Sequence, residues 1–135
     1  MILQIPPEAK TLDLLTSVIW FGNDGILYSV PREGAPPLLT ESQIKSETEK
    51  LLQFIGNKKV CIIGESDSKA ASPPKHQREM LAHALESVTQ ALAIVSTSPL
   101  SRMVANLFFS FKPPKYPMKM FSNEAEAKKW IIQYL

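Results

Sequence analysis

The chain has 135 residues, and apolar residues make up 44% of it, which suits one globular domain with a sizeable hydrophobic core. The net charge of +2 gives no general case for a nucleic-acid binder, and no apolar run approaches the roughly 18 residues that a membrane-spanning helix needs. The start, MILQIPPEAK, lacks a basic segment followed by a long apolar one, so we predict no signal peptide. Because Cys61 is the one cysteine, no internal disulfide is possible, and we expect a cytoplasmic protein.

The first predicted elements are two short strands joined by a tight turn, within residues 16–31. Residues 23–25 are Asn-Asp-Gly, which favours a hairpin turn because such residues accept a positive φ angle. The next stretch, TESQIKSETEKLLQFIG, has helical periodicity. Thr40 and Gln43 predict a capping box at its start, and Gly56 predicts its end.

Strands and helices alternate through the second half of the chain. Two apolar stretches, near residues 59–64 and 91–97, are typical of strands buried on both faces, and a third, shorter strand is predicted near residues 117–121. A helix is predicted after each of them. Ser72 is the predicted N-cap of the second helix and Ser98 that of the third, which spans residues 99–111, because each serine precedes a proline suited to the first helical position.

This order predicts an α/β fold with a five-stranded mixed sheet and about four helices. The N-terminal hairpin lies at one side, and the later strands run parallel through right-handed crossovers. No linker is long enough to separate two domains. We therefore assign residues 16–135 to a single domain and residues 1–15 to an N-terminal extension.

The order of elements, with a polar serine-containing loop between the third strand and the second helix, resembles the STAS domain. This is the SpoIIAA-like fold of anti-sigma-factor antagonists and sulfate-transporter tails. The stretch STSPLSRMVANLFFSFKPPKYPMKMFSNEAEAKKW is similar to small uncharacterised bacterial proteins of the STAS-like group. The resemblance implies a SpoIIAA-like fold and a regulatory role through protein contacts.

One serine carries the functional implication of this resemblance. In the antagonists, the serine at the start of the helix after the third strand is phosphorylated, and the phosphate controls docking to an anti-sigma kinase. The matching position is Ser72, in KAASPPK, where Ala71 replaces the acidic residue that precedes the serine in the antagonists. Ser72 is therefore a candidate phospho-switch or, alternatively, a plain N-cap of its helix.

Polar side chains follow two of the predicted parallel strands. Ligands of open α/β sheets bind beyond the carboxyl ends of the strands, and an arginine near a helix N-terminus suits an anion. These residues are a candidate anion or ligand site, or they only cap the two helices that follow: Ser66, Asp67, Ser98, Ser101 and Arg102.

A second candidate site lies on the predicted 99–111 helix. Phe109 falls nearly opposite the apolar stripe of this helix, beside Arg102 and Asn106, and the basic segment KPPKYPMK follows. Aromatic residues and arginine are favoured at interfaces. We predict an interface here with a second copy of the chain, with an anionic membrane surface as a weaker alternative.

Charge is uneven along the sequence. Residues 1–67 carry 6 basic and 9 acidic side chains, whereas residues 68–135 carry 9 basic and 4 acidic ones. The positive second half would tolerate an anionic partner, although we favour uneven solvation of helix faces as the explanation.

The sequence offers no recognisable catalytic or cofactor motif. His76 and His83, the two histidines, are seven residues apart, which on a helix is too far to share one metal ion. The five glycines are scattered and form no phosphate-binding loop. We expect no enzyme, no cofactor, no metal and no nucleic-acid partner, and we predict a non-catalytic protein-interaction or regulatory module. The alternative is a carrier of a small apolar or anionic ligand.

Overall fold

The structure, a computed structural model, describes residues 3–34, 36, 39–56, 58–66, 75–99 and 115–135. Within these ranges six strands form one mixed sheet in chain order: β1 (Thr11–Asp13), β2 (Ser17–Phe21), β3 (Leu27–Pro31), β4 (Val60–Glu65), β5 (Thr89–Val95) and β6 (Met118–Phe121). The helices in the same ranges are α1 (Glu41–Ile55), α2 (Lys75–Glu86) and α3 (Glu124–Ile131), and a 3-10 turn, Ile132–Tyr134, follows α3. None of the described helices is long and apolar enough to cross a membrane.

The α/β architecture and the strand directions confirm the sequence prediction. Strands β2 and β3 form the predicted antiparallel hairpin, and Gly25 in its turn has a φ of 80°. Strand β3 pairs in parallel with β4, β4 with β5, and β5 with β6. Helix α1 is the crossover from β3 to β4, and α2 is the crossover from β4 to β5.

The predicted number of strands is wrong, because the segment before the hairpin contributes β1. This strand pairs antiparallel with β2, with Leu12 opposite Ile19. The Leu14 amide donates to the Ser17 carbonyl (2.8 Å) and closes a two-residue turn. A three-residue strand and a turn without glycine or asparagine leave no recognisable pattern in the sequence. Leu3 is also buried in the core, so residues 3–15 are part of the packed structure.

Three helices lie in the described part of the chain, where about four were expected for the whole sequence. Of the predicted 99–111 helix, only residue 99 lies within the described residues. The predicted capping box of α1 is confirmed: the Thr40 hydroxyl accepts from the Gln43 amide (3.1 Å), and the Gln43 side chain accepts from the Thr40 amide (2.9 Å). Gly56 ends the helix with a φ of 88°.

The sheet separates two hydrophobic clusters. On one face, α1 and the end of α2 pack against strand residues such as Ile19, Ile62 and Leu92. On the other face, α3 packs Ala127 and Ile131 against the alternate strand residues, including Trp20, Ile63 and Val95. Cys61 lies buried in this second cluster, and burial raises the pKa of its thiol.

A group of polar contacts fastens the hairpin turn to α3. Asp24 accepts from the Ile26 amide (3.1 Å) and from the Tyr28 hydroxyl (2.8 Å). Lys128 on α3 lies 3.8 Å from Asp24 Oδ2 and from Glu124 Oε1, and 5.6 Å from the centre of the Tyr28 ring. Burial, and then the hydrogen bond to Asp24, raise the pKa of Tyr28 well above its usual range. We call this group the hairpin clamp.

Candidate functional site

Two of the serines predicted to share a site lie beyond the carboxyl ends of neighbouring strands. Ser66 follows β4, and its amide donates to the Val95 carbonyl at the end of β5 (2.9 Å). Ser98 lies three residues beyond β5, and its amide donates to the hydroxyl of the buried Ser96 (3.3 Å). The structure therefore places both serines at the carboxyl end of the parallel strands, and their role in binding a ligand stays a prediction.

The remaining residues of the predicted sites lie outside the described residues. They are Asp67, Ser72, Ser101, Arg102, Asn106 and Phe109. The phospho-switch or N-cap role of Ser72 and the interface around Phe109 therefore stay predictions.

Glu65 is a carboxylate at the same end of the sheet. The sequence analysis did not single it out. It is the last residue of β4, and its Oε1 accepts a hydrogen bond of 2.7 Å from the amide of Leu3. The bond ties the beginning of the described chain to the middle of the sheet. Oε1 of Glu65 is thus engaged in a contact within the fold.

The two histidines lie exposed on the surface of α2. His76 Nε2 is 2.6 Å from Glu41 Oε1 and so links the first turns of α2 and α1. His83 is 3.8 Å from Glu86, and its side chain is 89% exposed. In the ranges that the structure describes, no three histidine, cysteine or acidic side chains are grouped closely enough to hold a metal ion.

A second surface, which the sequence analysis did not predict, lies between β1 and α1 and extends to the amino ends of β4 and β5. Two adjoining clefts form it, and Phe21 lines both. We call it the basic–aromatic surface and define it by its aromatic pair and its lysines: Phe21, Phe54, Lys10, Lys50, Lys58 and Lys59.

The first cleft, of about 570 Å³, lies between β1 and α1. Its floor is a stacked pair, Phe21 on β2 and Phe54 on α1, with ring centres 5.6 Å apart and planes at 14°. The β1–β2 register, extended by one residue, sets Lys10 opposite Phe21. Lys50 and Phe54 share one face of α1 because they are four residues apart. Leu12 and Gln53 complete the lining.

The second cleft, of about 640 Å³, lies at the amino ends of the parallel strands. Apolar side chains dominate its lining, among them Ile55, Val60 and Leu135. Lys58 and Lys59, which directly precede β4, supply its positive charge. Cys61 also lines this cleft but is only 2% exposed.

The lysines of the basic–aromatic surface have no charged partners within the described part of the chain. All four are exposed, and none makes an ion pair there. One turn before Lys50 on α1, Glu47 is engaged elsewhere, because its Oε1 accepts from the Leu15 amide (3.0 Å). An aromatic floor with unpaired positive charges at its rim suits an acidic group attached to an apolar one.

The sequence does not predict this surface, for two reasons. Its lysines come from three separate segments, and they belong to the half of the chain in which acidic side chains outnumber basic ones. Lys10 also precedes β1, the strand that was not predicted. The available signal was the spacing of Lys50 and Phe54 on the helix, but without β1 this face of α1 had no neighbour.

Comparison with known families places the chain in one of them. Residues 19–135 match the family described as Domain of unknown function (DUF7793), and the chain belongs to this family. A solved structure of a protein with unknown function from Arthrobacter sp. FB24 is 18% identical, and the alignment covers 96% of this chain and 98% of that one. The TM-score of this match is 0.27. A comparison with curated proteins finds no match.

Proposed function

We propose that this chain is a non-catalytic protein-interaction module of STAS-like type, which binds its partner through the basic–aromatic surface. The mixed sheet, with an antiparallel N-terminal part followed by parallel β-α alternation, is compatible with a STAS-like fold. One observation carries the functional part of the proposal. It is the stacked Phe21–Phe54 pair in an open cleft, with Lys10 and Lys50 beside it.

The physical argument rests on the different roles of the two residue types. Aromatic side chains that are half-buried before binding lose little conformational freedom on complex formation, and they dominate interface energies. Exposed charges at a rim contribute mainly specificity and a faster association rate. Since these lysines support no described contact of the fold, a partner with acidic groups accounts for their placement.

The proposal assigns no reaction to this surface. Its one thiol, Cys61, is almost fully buried and has a raised pKa, so little of it is thiolate at neutral pH. The same buried, reduced thiol is in keeping with a cytoplasmic location, which is part of the proposal.

The carrier of a small ligand is the second candidate, and the cleft at the amino ends of the strands favours it. Its volume of about 640 Å³ is within the range of small-molecule sites. An apolar lining with Lys58 and Lys59 suits a small amphiphile with a negative group. A carrier of this kind retains its ligand during gentle purification, which native mass spectrometry detects.

Site-specific crosslinking in expressing cells tests the proposal. A photoreactive phenylalanine analogue replaces Phe54, and a control chain carries it at Ile132, which is exposed and lies on the segment after α3. We expect a defined protein adduct from position 54 and none from position 132. Small-molecule adducts alone would support the carrier instead. The same proteins crosslinked from both positions, or no adduct from position 54, would contradict the interaction module.

A further inference from the structure

We infer that the partner binds as an extra β-strand along the outer edge of β1, through an extended segment with acidic residues at alternate positions. The inference rests on the proposed function and specifies the chemistry of the partner. It adds a second observation to the charged cleft: β1 is an edge strand whose outward backbone groups meet no other strand in the described part of the chain.

The hydrogen-bond pattern shows which backbone groups are available. Leu14 donates to Ser17, and Leu12 lies opposite Ile19, so these even-numbered residues turn their amides and carbonyls toward β2. In an antiparallel pair, the residues between them turn their amides and carbonyls away from the neighbouring strand. The amides and carbonyls of Thr11 and Asp13 therefore face the open edge. Both residues are exposed.

The side chains beside this edge specify what an added strand must carry. Successive residues of a strand point to opposite faces, so alternate residues of the added segment lie on the α1 face, next to Leu12. There they meet the cleft that contains Lys10, Lys50 and the Phe54 ring. An acidic–apolar–acidic pattern at every second position fits both the charges and the floor of this cleft.

The same charges disfavour a second copy of this chain as the occupant. Two β1 edges paired antiparallel about Leu12 would place both α1 helices on one side of the joined sheet. The lysine-rich clefts of the two copies would then adjoin, and like charges repel. Charged residues are also a common means of keeping short edge strands from pairing with their own kind.

The test uses a seven-residue peptide, acetylated and amidated, with threonine at positions one, three, five and seven and Glu, Leu and Glu at the positions between. It is titrated into the full chain, and amide exchange is followed by nuclear magnetic resonance. We expect exchange of the Thr11 and Asp13 amides to slow by about tenfold or more at saturation, while Leu12, already bonded to β2, changes little. Replacing both glutamates with glutamine should weaken binding several-fold.

Backbone methylation of the peptide tests the hydrogen bonds directly. In an added strand only alternate amides face β1, so N-methylation of one alternating set should abolish binding and of the other set should be tolerated. Equal effects of the two sets, or binding without protection of Thr11 and Asp13, would overturn the strand-addition inference and leave the interaction module standing.

Other results overturn the inference in distinguishable ways. Protection of Thr11 and Asp13 without peptide, in a chain that sediments as a dimer, would assign the edge to a second copy. Binding to anionic vesicles but not to the peptide would assign the lysines to a membrane. Absence of peptide binding, while Phe54 still crosslinks to a protein, would reject the acidic extended segment alone. If both experiments fail, the proposed function fails with the inference, and Lys10 serves only to keep the edge strand soluble.

Discussion

Two lysine-bearing regions differ in what their charges contact: the hairpin clamp, on the α3 face of the sheet, and the β1–α1 cleft of the basic–aromatic surface, on the α1 face. In the hairpin clamp, Lys128 is within 4 Å of two carboxylates and lies against the Tyr28 ring. At the basic–aromatic surface, Lys10 and Lys50 lie beside the Phe21–Phe54 pair without an ion pair to any described residue. The first arrangement stabilises the fold, whereas under the proposed function a partner supplies the acidic groups that the second lacks.

The comparison predicts that stability and binding depend on different residues. Substitutions on the α3 face should lower the free energy of unfolding. Substitutions of the basic–aromatic lysines should leave it nearly unchanged and should weaken partner binding.

The substitution with the largest expected effect tests the packing of α3 against the sheet, on the face that the hairpin clamp borders. Ile131→Ala removes a fully buried side chain and should lower the free energy of unfolding by about 2–5 kcal/mol. Its neighbour Ile132 is 57% exposed, so Ile132→Ala should change it by less than about 0.5 kcal/mol. Urea denaturation measures both. Equal losses for the two variants would show that the packing of α3 differs from this description.

A glycine substitution tests the clamp itself. A Cβ atom at Gly22 would lie 2.7 Å from Asp24 Oδ1 and 2.7 Å from Tyr28 Cε2. Gly22→Ala should therefore displace the clamp and cost about 1–3 kcal/mol. Gly64→Ala is the control, because its Cβ would lie 4.0 Å from Ser29 Cβ, an ordinary contact. Equal thermal stability of the Gly22→Ala variant and the wild type would contradict the tight contact.

Alkaline pH tests the environment of Tyr28. Its pKa is raised in the folded state, so above about pH 10 the unfolded chain loses this proton first, and stability falls by up to about 1.4 kcal/mol per pH unit. Tyr28→Phe should cost about 1 kcal/mol at neutral pH, because it removes the hydrogen bond to Asp24. It should then lose stability less steeply than the wild type above about pH 10. Denaturation at several pH values measures the free energy of unfolding of both proteins. If it fell equally steeply with pH in the wild type and in Tyr28→Phe, the raised pKa would be contradicted.

The smallest expected effect on stability concerns the unpaired lysines. Lys50→Gln and Lys129→Gln should each change the free energy of unfolding by less than about 0.5 kcal/mol, because both side chains are exposed and neither has an ion pair with a described residue. Urea denaturation of the two variants measures this. A clear loss for Lys50→Gln would mean that this lysine supports the fold and is not reserved for a partner.

The elements with strong local signals were predictable from the sequence. The Asn-Asp-Gly turn, the capping box of Thr40 and Gln43 and the apolar runs of β4 and β5 each have a physical preference that acts within a few residues. They were enough to predict the hairpin, the parallel strands and the alternation of strands and helices.

The basic–aromatic surface was not predictable in this way. It depends on β1, whose three residues pair with β2 through a turn without glycine, and on contacts between Phe21 and Phe54, which are far apart in the chain. Such pairings are determined by tertiary packing, which no local pattern records. The residues that the sequence favoured around Phe109 lie outside the described ranges, and the interface predicted there stays a prediction.

The most direct test of the central claim is the affinity of the acidic peptide for two charge-reversal variants, Lys50→Glu and Lys129→Glu, at low salt. The lysines are alike in exposure and lack of ion pairs, but Lys50 lines the β1–α1 cleft and Lys129 lies on α3. Since reversal at the cleft replaces attraction by repulsion, Lys50→Glu should weaken binding by about tenfold, or about 1.4 kcal/mol, and Lys129→Glu by less than about twofold. Equal losses in the two variants would mean that the peptide responds only to net charge, and would contradict a binding site at the basic–aromatic surface.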